Sequence, residues 1–131
     1  MKLITRDTDY GVRALCYIAT HKGAIVTVPE LVSSLKIPKP FLRKLLQILT
    51  KRGILKSYKG KGGGFLLAKE ARHIYLTDLM RIFQGGFELN ECLLKKKLCP
   101  NRGSCCVRKK IQGIEKMVVK ELKNITIQSI L

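Results

Sequence analysis

The chain has 131 residues, enough for one compact domain with an added helix but too few for two full domains. A hydrophobic content of 46% supplies a core and excludes a disordered chain on composition. Lys and Arg number 26 against 9 Asp and Glu, a formal charge of +17 that calls for a polyanionic partner, nucleic acid first among them. No apolar run approaches ~18 residues, and the first apolar stretch carries Arg13 without a small-residue cleavage pattern. Neither a membrane span nor a signal peptide is therefore expected, and a cytoplasmic location follows as an expectation. In that compartment cysteines point to metal or redox chemistry more than to structural disulfides.

The charge is uneven. Residues 36–72 hold eleven Lys and Arg and a single acid, Glu70, whereas residues 73–94 hold one base, Arg81, and three acids. Residues 95–124 return to ten bases and two acids. A solvated surface without a partner would mix the signs, so the first block reads as a nucleic-acid face.

In chain order, Gly11, Ala14, Leu15 and Ile18 share one helical face, which predicts a helix from residue 9 to about residue 21. Thr27-Val28-Pro29-Glu30 offers a capping box, and Val28, Leu31, Val32 and Leu35 follow with the spacing of a short amphipathic helix. Pro38 ends it, and Pro40 fits the first turn of the next helix. That third helix buries Leu42, Leu45, Leu46 and Leu49 and presents Lys39, Arg43, Lys44, Gln47 and Lys51 on its other side. Two short helices joined by a tight break, the second basic outward, fit a helix-turn-helix. Arg43 and Gln47 lie one turn apart, and their side-chain types pair bidentately with guanine and adenine. Pro40 and Phe41 complete the expected DNA-facing start of this helix.

Ile54–Tyr58 and Phe65–Ala68 are short strand-like runs around Lys59-Gly60-Lys61-Gly62-Gly63-Gly64, a hairpin whose glycines admit a phosphate and whose lysines place cations beside it. Tyr58, Lys59, Lys61, Gly62 and Gly63 are the candidate contacts. A phosphate loop of the Walker type would lead into a helix with Gly-Lys-Ser/Thr, and this run leads into a strand. Thr77–Phe83 then reads as a short capped helix stopped by Gly85-Gly86.

Cys92, Cys99, Cys105 and Cys106 follow in a stretch with no helical or alternating pattern. Structural zinc prefers closely spaced ligand pairs, and neither His21 nor His73 is near in sequence. Widely spaced thiolates suit an iron–sulfur cluster whose fourth ligand comes from elsewhere. Oxidation of Cys99, Cys105 and Cys106 to disulfides is a cluster-free alternative. Cys16, within the first helix, reads as a small core residue. Finally, Val107, Ile111, Ile114, Val118, Leu122 and Ile125 recur at intervals of three or four, an apolar seam suited to a two-fold dimer helix.

The run IPKPFLRKLLQILTKRGILKSYKGKGGGFLLAKE, with its Gly62-Gly63-Gly64-Phe65-x-Leu67 core, resembles the recognition helix and wing of the IscR/NsrR family of bacterial transcription regulators. The resemblance extends over nearly the whole chain, from Thr8-Asp9-Tyr10 to the cysteines. It implies a mainly α fold with a small β-hairpin: a winged helix-turn-helix over residues 1–86, a cluster-binding loop over 87–106, and a dimerisation helix and tail over 107–131. It further implies a homodimer on imperfectly palindromic double-stranded DNA, most often a repressor, and an iron–sulfur cluster, 2Fe-2S in preference to 4Fe-4S. The signal would be nitric oxide, oxygen, redox state or cluster supply.

By that resemblance Cys92, Cys99 and Cys105 are ligands, with Cys106 competing for the third position. The histidine that IscR-like members use after the third cysteine is absent; Val107-Arg108-Lys109-Lys110 stands there. Asp9 matches the aspartate that NsrR-like members contribute from the partner subunit, although the same residue would also serve as N-cap of the first helix. No nucleophile–base pair, metal-hydrolase motif or paired carboxylates suggest an enzyme. A basic RNA-binding protein is a further alternative, made less attractive by 6% aromatic content and few stacking platforms.

Overall fold

Thr5 begins the first helix. Its hydroxyl accepts from the Thr8 N–H at 3.4 Å, and α1 runs Arg6–Thr20 with Asp7 and Asp9 in the first turn, where the helix dipole favours anions. The helix therefore starts ahead of Asp9, and the N-cap role considered for Asp9 is corrected. Asp9 lies inside α1, its carboxylate 2.8 Å from Arg13 Nε one turn on. Gly11, Ala14, Leu15 and Ile18 are buried as their spacing predicts. At Gly11 the reason is close approach, because a Cβ there would lie 2.6 Å from Phe83 Cε2.

The computed structural model describes residues 3–87 and 106–131; Cys92, Cys99 and Cys105 lie outside the described residues. Helix α2, Val28–Leu35, starts at Thr27, whose hydroxyl accepts from the Glu30 N–H at 3.3 Å. It stops at Lys36, a left-handed residue with φ 58°. Pro38, at ψ 134°, turns the chain into α3, Lys39–Lys51, which buries Leu42, Leu45, Leu46 and Leu49. Each fully buried leucine contributes roughly 1.5–3 kcal/mol relative to an exposed one. This row of four is the main attachment of the outward-facing side of α3.

Strands β1, Leu55–Tyr58, and β2, Gly64–Leu67, pair antiparallel in the register Leu55↔Leu67 to Tyr58↔Gly64. Val26 adds a bridge to Phe65 through two backbone bonds of 3.0 and 2.8 Å, which fastens the hairpin to the turn before α2. A 3₁₀ turn at Ala71–His73 leads to α4, Leu76–Gln84, which ends at Gly85 in the left-handed region. The expected side-chain cap at the start of α4 is corrected. Tyr75 occupies the cap position without a side-chain bond, and the Leu76 N–H is satisfied instead by the Ile125 carbonyl at 2.9 Å.

Helix α5 runs Cys106–Leu122, and a last 3₁₀ turn spans Gln128–Ile130. The tail after α5 returns to the winged domain: Ile127 is buried in the main core and its N–H donates to the Ile74 carbonyl at 2.9 Å. The seam of α5 divides. Leu122 is buried with Leu76 and Met80, and Val118 and Ile125 pack beside them. Towards the other end, Val107, Ile114 and Met117 are 68%, 51% and 70% exposed. No described helix is long and apolar enough to cross a membrane.

Candidate nucleic-acid interface

The leucine row on α3 decides what its other side presents. Lys39, Pro40, Phe41, Arg43, Lys44, Gln47 and Lys51 are all exposed. Across from them stands the β1–β2 turn, with Tyr58, Lys59, Lys61 and Gly62 exposed as well. The two meet along an open cleft of ≈ 540 Å³. Arg43, Gln47 and Lys51 line one side, Tyr58, Lys59 and Gly63 the other, and Thr27, Val28 and Pro29 at the start of α2 close one end. Thr50 and Ser57 also line it; like the α2 start they were missed from sequence, because only packing brings them to the recognition face. Lys44 and the turn residues Lys61 and Gly62 are exposed without lining the cleft.

The wing needs its glycines for two separate reasons. Gly60 and Gly62 have φ of 91° and 79°, a region disfavoured for residues with a Cβ. A Cβ on Gly63 would collide with the Tyr58 carbonyl oxygen, and one on Gly64 with the Val26 carbonyl oxygen. Gly63 is half-buried and Gly64 buried, so both hold the hairpin tight. Gly64, assigned from sequence to the turn, is the first residue of β2.

The electrostatics of this face are one-sided. Lys39, Arg43, Lys44, Lys51, Lys59 and Lys61 enter none of the salt bridges among the described residues, which lie at Asp9–Arg13, around Glu70 and at Asp78–Arg81. Unneutralised cations beside a concave groove are suited to phosphate. At the start of α3 the Arg6 guanidinium of α1 sits 5.0 Å from the centre of the exposed Phe41 ring, a cation–π contact that adds a further cation to this end. Sequence reasoning had no signal for Arg6, since nothing local pairs two residues so far apart in the chain.

For the proposed ligands the structure is narrower. Asp9 is half-exposed on α1 and bound to Arg13, whose own pKa is raised chiefly by that hydrogen bond. Cys106 is the exposed first residue of α5. Among the described residues no three His, Cys, Asp or Glu side chains gather at metal-binding distance. Cys16 is half-buried against the core, and burial pushes its thiol pKa up, as suits an inert packing residue.

A family profile described as "Rrf2: Iron-dependent Transcriptional regulator" matches residues 4–131. The chain belongs to the Rrf2 family. Its members are transcription regulators and not enzymes, and the DNA-binding winged helix is their shared architecture. A protein of Aquifex aeolicus named as an HTH-type transcriptional regulator is 34% identical over 98% of this chain and 92% of its own length. The HTH-type transcriptional regulator NsrR of Bacillus licheniformis is 30% identical over 93% of this chain and 81% of its own. Among solved structures, T. potens IscR superimposes with a TM-score of 0.72 at 27% identity, over 99% of this chain and 85% of that one. CymR, the global cysteine regulator of B. subtilis, superimposes with a TM-score of 0.73 at 21% identity, over 99% and 96% of the two chains, a likeness of fold. These matches bear out the resemblance read from the wing and recognition helix.

Proposed function

We propose that this Rrf2 protein is a homodimeric repressor of transcription that binds imperfectly palindromic duplex DNA and is controlled by an iron–sulfur cluster, 2Fe-2S. The observation that carries the DNA-binding half is the cleft in which Arg43, Gln47, Lys51 and Lys59, none of them in a salt bridge among the described residues, converge around one groove. Arg43 and Gln47 meet base edges, while Lys39, Lys44 and the wing residues Tyr58, Lys59, Lys61, Gly62 and Gly63 meet the backbone. Pro40 and Phe41 shape the start of the recognition helix. The exposed Val107, Ile114 and Met117 on α5 support a second copy as partner, since apolar side chains on one helix end gain by mutual burial. In this reading residues 1–86 bind DNA, 87–106 hold the cluster and 107–131 join the subunits.

The donor set fits a cluster. Cys92, Cys99 and Cys105 supply soft thiolates, and Asp9, reaching across the dimer, supplies a carboxylate that is partly open to solvent. Its present partner is the exposed Arg13, and an exposed ion pair of this kind adds little stability, so exchanging it for another bond is cheap. When bound, the cluster would supply a redox- and nitric-oxide-reactive centre. The chain's own part is to hold that centre between the cysteines of one subunit and α1 of the other, the helix whose Arg6 touches the recognition helix at Phe41.

The test is anaerobic purification with iron and sulfide analysis and visible spectra, on wild type and on Cys92, Cys99, Cys105, Cys106 and Asp9 variants, followed by footprinting with and without iron. Coloured protein with stoichiometric sulfide, lost in the first three cysteine variants, is expected. Colourless protein that still protects a palindrome would leave a thiol- or zinc-dependent regulator. Protection of RNA without duplex preference would refute the DNA reading.

A further inference from the structure

Gln84, the last residue of α4, makes four hydrogen bonds with one amide. Its Oε1 accepts from the Thr5 N–H at 3.0 Å and from the Thr8 hydroxyl at 2.8 Å. Its Nε2 donates to the Leu3 carbonyl at 3.2 Å and to the Gly86 carbonyl at 3.4 Å. Thr8 is the one buried polar residue among those described, with no exposed surface at all. In a capping box the side chain three residues after the N-cap reaches back to the N-cap N–H. Here that position is Thr8, too short to do so, and Gln84 performs the task from 79 residues away.

Its location gives the amide a second meaning. Gly86 lies six residues before Cys92 in the chain. On the other side, Thr8 adjoins Asp9, and Arg6 of the same helical turn covers Phe41 at the start of the recognition helix. We propose that Gln84 is a positioning residue that links the backbone leading to the cysteines with the start of α1, and through Arg6 and Phe41 with the DNA-reading helix. This rests on the cluster-sensing reading and names the contact through which sensing reaches DNA. A displaced Gly86 carbonyl pulls on Nε2, and the rigid amide passes the shift to Thr5 and Thr8, which set where α1 begins.

Two variants separate the halves. In Gln84→Glu a carboxylate still accepts from Thr5 and Thr8, and an anion suits a helix start, but nothing is left to donate to Leu3 and Gly86. In Gln84→Leu both halves are gone. The probe is a duplex selected from random-sequence DNA by the wild-type protein, titrated with cluster-free protein and with protein reconstituted anaerobically with ferrous iron and sulfide. Wild type should show a ratio of the two affinities in the range of about 5–150-fold typical of coupled sites. Gln84→Glu should keep the cluster-free affinity and the protection from exchange of the bonded Thr5, Thr8 and Asp9 amides, while its ratio falls to within about twofold of unity. Gln84→Leu should lose the ratio and also exchange faster at the Thr5, Thr8 and Asp9 amides. If Gln84→Leu does not fold, Gln84→Glu alone decides.

A wild-type ratio retained by Gln84→Glu, or an equal loss of affinity in both iron states, overturns the inference and leaves the sensing reading intact. A wild type whose affinity ignores the cluster overturns both.

Discussion

Replacing Lys59 and Lys61 together by alanine tests the wing most directly. Both side chains are exposed and neither enters a salt bridge among the described residues, so the change removes cations without disturbing packing. The glycines that shape the turn remain. Each phosphate neutralised by a cation contributes about 0.9 to the slope of log affinity against log salt concentration. If both lysines of both wings in a dimer touch phosphate, four contacts vanish and the slope falls in magnitude by roughly 3.6. Over a fourfold rise in salt, that difference amounts to roughly a 100-fold smaller loss of affinity. Fluorescence anisotropy of a labelled duplex, measured at several potassium chloride concentrations for wild type and variant, reads the slope directly. Gln47→Ala is the control, expected to relax base preference by about 1–3 kcal/mol at one position per half-site while leaving the slope unchanged. An unaltered slope in the double-lysine variant would show that the wing does not reach the backbone.

Gly64→Ala places a methyl group against the Val26 carbonyl, a backbone atom that cannot rotate aside. A loss of about 1–3 kcal/mol in urea unfolding is expected, and wild-type stability would show that the hairpin can open at no cost. Ile114→Glu alters a side chain that is 51% exposed, so the single-chain fold should survive by circular dichroism while sedimentation shifts towards monomer. An unchanged dimer would move the interface away from this part of α5. Cys16, whose burial raises its thiol pKa above the ordinary 9.0, should react with a maleimide at pH 8 far more slowly than the exposed Cys106. Because the folded value is the higher one, Cys16 contributes stability that is fully present below pH 9 and lost as pH rises through the folded pKa. Cys16→Ala should flatten that alkaline decline in thermal melts, and equal declines in both proteins would contradict the assignment.

Features that follow from short-range periodicity and local chemistry were legible in the residues themselves. The leucines of α3 are buried at the spacing that a helical repeat demands, and the cations between them are exposed for the same reason. Thr27 caps α2 because its hydroxyl and the Glu30 N–H are only one turn apart. The glycine-rich turn could be recognised because few residues besides glycine accept positive φ. Tertiary structure alone decided where distant partners replace local ones. Thr5, not Asp9, starts α1, held by an amide from the end of α4. The first N–H of α4 finds its acceptor at Ile125, beyond α5. Gly63 and Gly64 answer to the carbonyls of Tyr58 and Val26 as much as to any phosphate. The apolar seam of α5 is continuous in sequence, yet one end packs on α4 while the other lies open. Periodicity states that a face is apolar; only the folded arrangement states what covers it.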